Sequence, residues 1–72
     1  MPKRLKPYAV RLRDGQREVV FIEHVRDGFW RGWRIPDGVW TRGPVHALLE
    51  RFTTLEGAEM FRDGKEEVDG LE

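Results

Sequence analysis

The 72-residue chain contains no serine, no asparagine and no cysteine. Without Ser or Cys it has no serine or cysteine nucleophile, and without Cys it has no thiolate metal site and no disulfide framework. Its two histidines, His24 and His46, stand 22 positions apart, with no HxH or HxxxH spacing to suggest a transition-metal site. The three lysines fall at positions 3, 6 and 65, outside any expected pocket. No Gly-rich phosphate loop is present: Gly28 and Gly32 match neither the P-loop nor the dinucleotide pattern. No apolar run approaches the ~18 residues of a membrane-spanning helix. No secretory apolar segment follows Met1, because Pro2, Lys3, Arg4 and Lys6 interrupt it. The expectation is a single cytoplasmic domain that is not an enzyme and uses no cofactor, metal, membrane or small-molecule substrate.

Much of what remains is aromatic or charged. A chain this short buries only about 60% of its unfolded surface. Tyr8, Phe21, Phe29, Trp30, Trp33, Trp40, Phe52 and Phe61 must therefore supply much of the core. Net charge is zero but unevenly placed. Residues 1–42 hold ten Lys or Arg against five Asp or Glu, and residues 43–72 hold three against eight. All three Trp lie in the basic half. Arg outnumbers Lys ten to three, a bias expected of a GC-rich bacterial or phage genome.

Asp-Gly pairs at 14–15, 27–28, 37–38 and 63–64 punctuate the chain. Asp-Gly suits tight turns, because a type I′ hairpin turn needs positive φ at both central residues. The intervening segments 8–13, 17–25, 29–35 and 39–41 read as strands of an antiparallel meander, with the β-branched and aromatic run Val19-Val20-Phe21-Ile22 at its centre. Gly43-Pro44 resembles a helix start, and Val45, Leu48, Leu49, Phe52 and Leu55 repeat at spacings of three and four, with Gly57 as a stop. Residues 58–61 are expected as a short strand or irregular return. The predicted fold is therefore α+β: a meander of three to four strands with one C-terminal helix packed on one face. A flexible basic leader (1–6), a single domain (7–65) and an acidic flexible tail (66–72) complete the division.

Two-residue turns predict the register. The first hairpin pairs Arg11 with Glu18, Val10 with Val19 and Tyr8 with Phe21. The second pairs Val25 with Trp30, His24 with Arg31, Ile22 with Trp33 and Val20 with Ile35, and the third pairs Ile35 with Trp40. One face then carries Tyr8, Val10, Leu12, Val19, Phe21, Val25 and Trp30, and the helix is assigned to it. The other carries Val20, Ile22, Trp33, Ile35 and Trp40 among Arg11, Arg13, His24 and Arg31, and is left half exposed. A single bulge in the second strand would exchange the faces downstream. Gly32 either marks such a bulge or permits the close approach of another backbone.

Residues 29–34, continued by Trp40-Thr41-Arg42, are the most informative stretch. Arg presents planar donors to phosphate oxygens or guanine edges, and Trp offers a surface for unpaired bases. Arg11, Arg13, Arg31, Trp33 and Trp40 are the candidate binding residues. The expected function is a small nucleic-acid-binding or regulatory domain, with DNA or RNA as partner. Trp and Arg are also enriched at interface centres, so a protein-protein module or homodimer on the same face is the alternative. The bland account of the same residues is Trp in the core and Arg solvating the surface. The acidic segment after Phe61 could mask a basic sheet, although an ordinary solubilising tail is preferred.

Arg11-x-Arg13 in the first strand, residues 30–34 in the third and a helix after Trp40 form a layout over residues 8–56. It resembles the plant ethylene-response-factor domain and the amino-terminal arm-binding domain of tyrosine integrases. That resemblance implies a three-stranded sheet packed on a helix and placed in the major groove. The strand at 24–30, followed by a helix and a turn at 63–65, is similar to small bacterial domains and implies no function.

Overall fold

The structure is a computed structural model that describes residues 6–65. The expected leader and tail lie largely outside them. The elements in chain order are β1 (Tyr8–Arg13), β2 (Gln16–Arg26), β3 (Phe29–Arg34), β4 (Trp40–Pro44), a 3-10 turn (Val45–Ala47), β5 (Leu48–Phe52) and α1 (Leu55–Arg62). The five strands form one antiparallel sheet in the order β4-β3-β2-β1-β5, and with α1 they make an α+β fold. No helix among the described residues is long and apolar enough to cross a membrane.

The first two Asp-Gly pairs form the turns their chemistry favours. Asp14 and Gly15 have φ of 54° and 79°, and Asp27 and Gly28 have 56° and 82°. Both central positions are thus left-handed, as a type I′ hairpin requires. The first hairpin has the predicted register throughout. The third connection is longer than two residues. Arg34 N–H donates to the Val39 carbonyl at 2.9 Å, Gly38 N–H donates to the Arg34 carbonyl at 2.7 Å, and the Asp37 carboxylate accepts Val39 N–H at 3.1 Å. Trp40 therefore stands opposite Trp33 rather than Ile35, and β4 runs on to Pro44.

The second hairpin begins in the predicted register and then shifts. Arg26 faces Phe29, Val25 faces Trp30 and His24 faces Arg31, but beyond Glu23 Ile22 faces Gly32, Phe21 faces Trp33 and Val20 faces Arg34. Glu23 is an extra residue in β2, a β-bulge. Gly32 is what the bulge requires opposite it. A Cβ there would collide with the Phe21 carbonyl oxygen and lie 2.8 Å from its carbon. One extra residue reverses alternation, so Trp30 joins the face of Val20 and Ile22, while Trp33 and Trp40 join the face of Tyr8 and Phe21. The predicted division of the Trp residues between faces is thereby exchanged.

The predicted helix from Pro44 to Gly57 is not formed. Its apolar residues serve two faces rather than one. Val45 and Leu48 pack on Ala9, Val20, Ile22 and Trp30, whereas Phe52 and Leu55 pack on Val10, Val19 and Ala58. Residues 48–52 instead supply a partner strand to the outer edge of β1, which would otherwise leave its N–H and C=O groups unpaired. The helix comes later and includes residues 58–61, which were expected as a strand or return. Thr54 caps it, its Oγ1 accepting the Gly57 N–H at 3.1 Å. Gly64, at φ 73°, ends it: Gly64 N–H donates to the Phe61 carbonyl at 3.1 Å and Lys65 N–H to the Met60 carbonyl at 2.8 Å.

The sheet is curled. Four Cα steps join Pro44 to Leu48 and can span about 15 Å. Crossing from β4 to β5 over a flat sheet would take about 19 Å, before any displacement along the strands. The concave face encloses Ala9, Val20, Ile22 and Trp30, the last only 2% exposed, with Val45 and Leu48 closing over them. The convex face carries Val10 and Val19 beneath Ala58 of α1, ringed by Tyr8, Ile35, Phe52, Leu55 and Phe61. Both faces therefore have a core. The face expected to lie half exposed is closed by curvature instead.

Gly32→Ala tests the bulge directly. It is expected to lower stability by about 3 kcal/mol or more, read as a fall in Tm of roughly 15 °C, because no rotamer relieves a backbone collision. A loss below about 1 kcal/mol would mean that β2 and β3 pair without the bulge.

Candidate nucleic-acid interface

The five candidate residues do not share one face. Arg11 and Arg13 belong to a carboxylate-centred cluster with the concave core. Glu18 takes hydrogen bonds from Arg11 Nε and Nη2 at 3.1 and 2.7 Å and from Arg13 Nη1 at 3.3 Å. Arg34 Nε stands 3.3 Å from the same carboxylate, too poorly aligned for a hydrogen bond, and Arg34 Nη2 pairs with Asp37 at 3.1 Å. Glu18 and Arg11 are only 12% and 13% exposed, and Arg11 also lies 5.5 Å from the centre of the Trp30 ring. Desolvated guanidiniums held in this way are structural. Predicting that Arg11 and Arg13 join the Trp face was therefore wrong, because the bulge separates the two sets.

Arg31, Trp33 and Trp40 do come together on the convex face. Helix α1 lies over β5, β1 and β2, leaving the β3 and β4 part of that face uncovered. An aromatic row crosses four strands there. Tyr8 meets Phe21 edge-on at 5.4 Å, Phe21 stacks on Trp33 at 4.6 Å, and Trp33 meets Trp40 edge-on at 5.3 Å. Trp33 is half-buried by this row, whereas Trp40, on the edge strand, is 61% exposed. Trp40 thus ends a rigid stack with much of its own surface free.

Two residues along β3 and β4, and three along the bulged β2, lies a row of cationic and imidazole groups. His24 is the partner of Arg31, and Arg31 of Arg42. Beyond it, Arg26 faces Phe29, which is also 61% exposed. Arg31 Nε reaches Glu23 at 3.3 Å and Arg26 reaches Asp27 at 3.7 Å, both exposed pairs worth about 0–1 kcal/mol. Arg42 has no carboxylate partner among the described residues. A hollow of about 300 Å³ is lined by Arg31, Trp40, Thr41 and Arg42. A second, of about 170 Å³, is lined by His24, Arg26, Phe29, Trp30, Arg31 and Arg42. The two guanidiniums therefore border both hollows, one against Trp40 and the other against Phe29.

Phe29 and Arg42 were not singled out from sequence as binding residues, yet period-two alternation could have found them. Phe29, Arg31 and Trp33 are spaced by two in β3, as are Trp40 and Arg42 in β4. At the far end of α1, the hydrogen bond donated by Arg62 holds the Asp63 carboxyl below its ordinary range and raises Arg62. That pair lies outside the exposed face. Among the described residues, no three His, Asp or Glu side chains are grouped to hold a metal.

No family model matches the sequence, and neither a curated protein nor a solved structure does. The layout expected from the two DNA-binding groups is not kept, since two further strands and a 3-10 turn involve the segment between Trp40 and the helix.

Glu18→Gln removes the charge and keeps the shape. It is expected to cost about 2–3 kcal/mol in urea unfolding, because Arg11 and Arg34 stay desolvated beside a neutral amide. A change under about 0.5 kcal/mol would show that water screens the cluster.

Proposed function

We propose that this protein is a small, non-enzymatic nucleic-acid-binding domain, and that the uncovered convex face of β3 and β4 is its contact surface. Regulation by occupancy of nucleic acid in the cytoplasm is the role that fits such a domain. The carrying observation is the placement of Arg31 directly opposite Arg42, between exposed Trp40 and Phe29. Like charges directly opposed across two strands destabilise a sheet, whereas an anion bound between them turns the repulsion into attraction. Phosphate supplies that anion and bases supply surfaces for the rings.

The same face could serve a protein partner or a second copy. The edge of β4 argues against pairing with a twin. It ends in Pro44, which has no N–H to donate, and Arg42 would be brought close to its own copy. An anionic ligand suits this edge better than a cationic twin does.

Intrinsic Trp fluorescence with sedimentation tests the reading. Oligonucleotide is expected to quench the emission at low salt. Arg26, Arg31 and Arg42 on phosphates predict that log K falls with log salt at a slope of about −2 for a single strand and nearer about −3 for a duplex. Arg42→Ala should weaken binding, while Arg13→Ala, on the opposite face, should leave it unchanged. Absence of quenching by DNA and RNA, together with a dimer that Trp40→Ala dissolves, would overturn the proposal in favour of self-association.

A further inference from the structure

Resting on that reading, we infer that the ligand is single-stranded, and that the face seats two unstacked bases on either side of a phosphate. The two hollows share Arg31 and Arg42 and differ in their aromatic wall, Trp40 for one and Phe29 for the other. Along the strands the order is therefore ring, guanidinium pair, ring. Trp33 and Trp40 form one row, Arg31 and Arg42 the next, and Phe29 the third. Each step of two residues is about 6.7 Å, so the positions that bear the two rings stand about 13 Å apart along the strands.

Consecutive bases in a stacked strand are separated by only about 3.4 Å. A stacked strand or a duplex cannot place neighbouring bases on both rings at once. A single strand with splayed bases can, since its ring faces are free and its backbone bends. The phosphate between the bases then falls opposite the guanidinium pair. Glu23, which holds Arg31 at 3.3 Å through an exposed contact, gives way to it. Trp40 is backed on one side by the stack that runs from Tyr8 through Phe21 to Trp33.

The test titrates the full chain with five ligands at one low salt concentration. They are a single-stranded DNA octamer, the RNA of the same sequence, the same DNA with abasic spacers, the DNA duplex and inorganic polyphosphate. Calorimetry reports every variant, including those lacking Trp40. At least one base-bearing single strand is expected to bind tenfold or more tighter than the abasic strand, the duplex or polyphosphate. Trp40→Ala and Phe29→Ala should each weaken that strand by roughly 5- to 100-fold, as expected for loss of one stacked base. Neither should alter the affinity for the abasic strand. Both side chains are exposed, so these variants are expected to fold, and circular dichroism checks that they do. Equal affinity for abasic strand or polyphosphate would overturn the two-base seat while leaving a nucleic-acid face in place. Equal affinity for duplex would overturn single-strand selection in the same way. No binding of any oligonucleotide would overturn the seat and the broader reading together.

Discussion

The bulge at Glu23, accommodated by the missing side chain at Gly32, determines what every aromatic residue downstream can do. Side chains on a strand alternate, so one inserted residue exchanges the two faces for the remainder of the hairpin. Here it sends Trp30 into the concave core and leaves Trp33 and Trp40 on the convex surface. Without it, the long aromatic side chains of β3 would trade places, and the guanidinium of Arg31 would turn with them. The constraint is steric and local, because a carbonyl oxygen of β2 occupies the space a Cβ at position 32 would need.

The curled sheet solves a problem of size. The described residues hold one short helix, yet both faces of the sheet carry Val, Ile and aromatic groups. Curvature covers one face with the protein's own backbone, and α1 covers half of the other. At one side of the concave core, Glu18 draws Arg11, Arg13 and Arg34 together. Arg11 and Arg34, the two less exposed of these, are thereby committed to structure. The convex half that neither curvature nor helix covers is where Arg31, Arg42, Trp40 and Phe29 meet, and the proposed binding face is that remainder.

Local chemistry made much of the architecture legible. The Asp-Gly turns at 14–15 and 27–28 set two hairpins, and the cross-strand pairs of Tyr8 with Phe21, Val10 with Val19, Arg11 with Glu18 and His24 with Arg31 followed from them. Gly32 reads from sequence as a bulge or close-approach position, and a bulge exchanges the faces downstream. Its location was less legible, because a bulge depends on strain relieved across two strands rather than on any one residue. The segment from Val45 to Leu55 misled for a different reason. Spacings of three and four describe a helical stripe, but a chain that crosses a sheet edge also alternates its service between two faces. Thr54 caps the helix that forms instead, and Gly64 ends it. Of the site, Arg31, Trp33 and Trp40 were legible by composition, whereas the bulge moved Trp33 and Trp40 off the face that keeps Arg11 and Arg13, where Glu18 holds them.

Which Trp faces inward decides where the exposed face lies, and acrylamide quenching of single-Trp proteins measures this most directly. One protein keeps Trp30 and carries Trp33→Phe and Trp40→Phe. The other keeps Trp40 and carries Trp30→Phe and Trp33→Phe. Trp40 is expected to be quenched readily and Trp30 to be protected, in keeping with exposures of 61% and 2%. A protected Trp40 with an accessible Trp30 would contradict it, because the bulge would then be absent and the proposed face would be turned into the core.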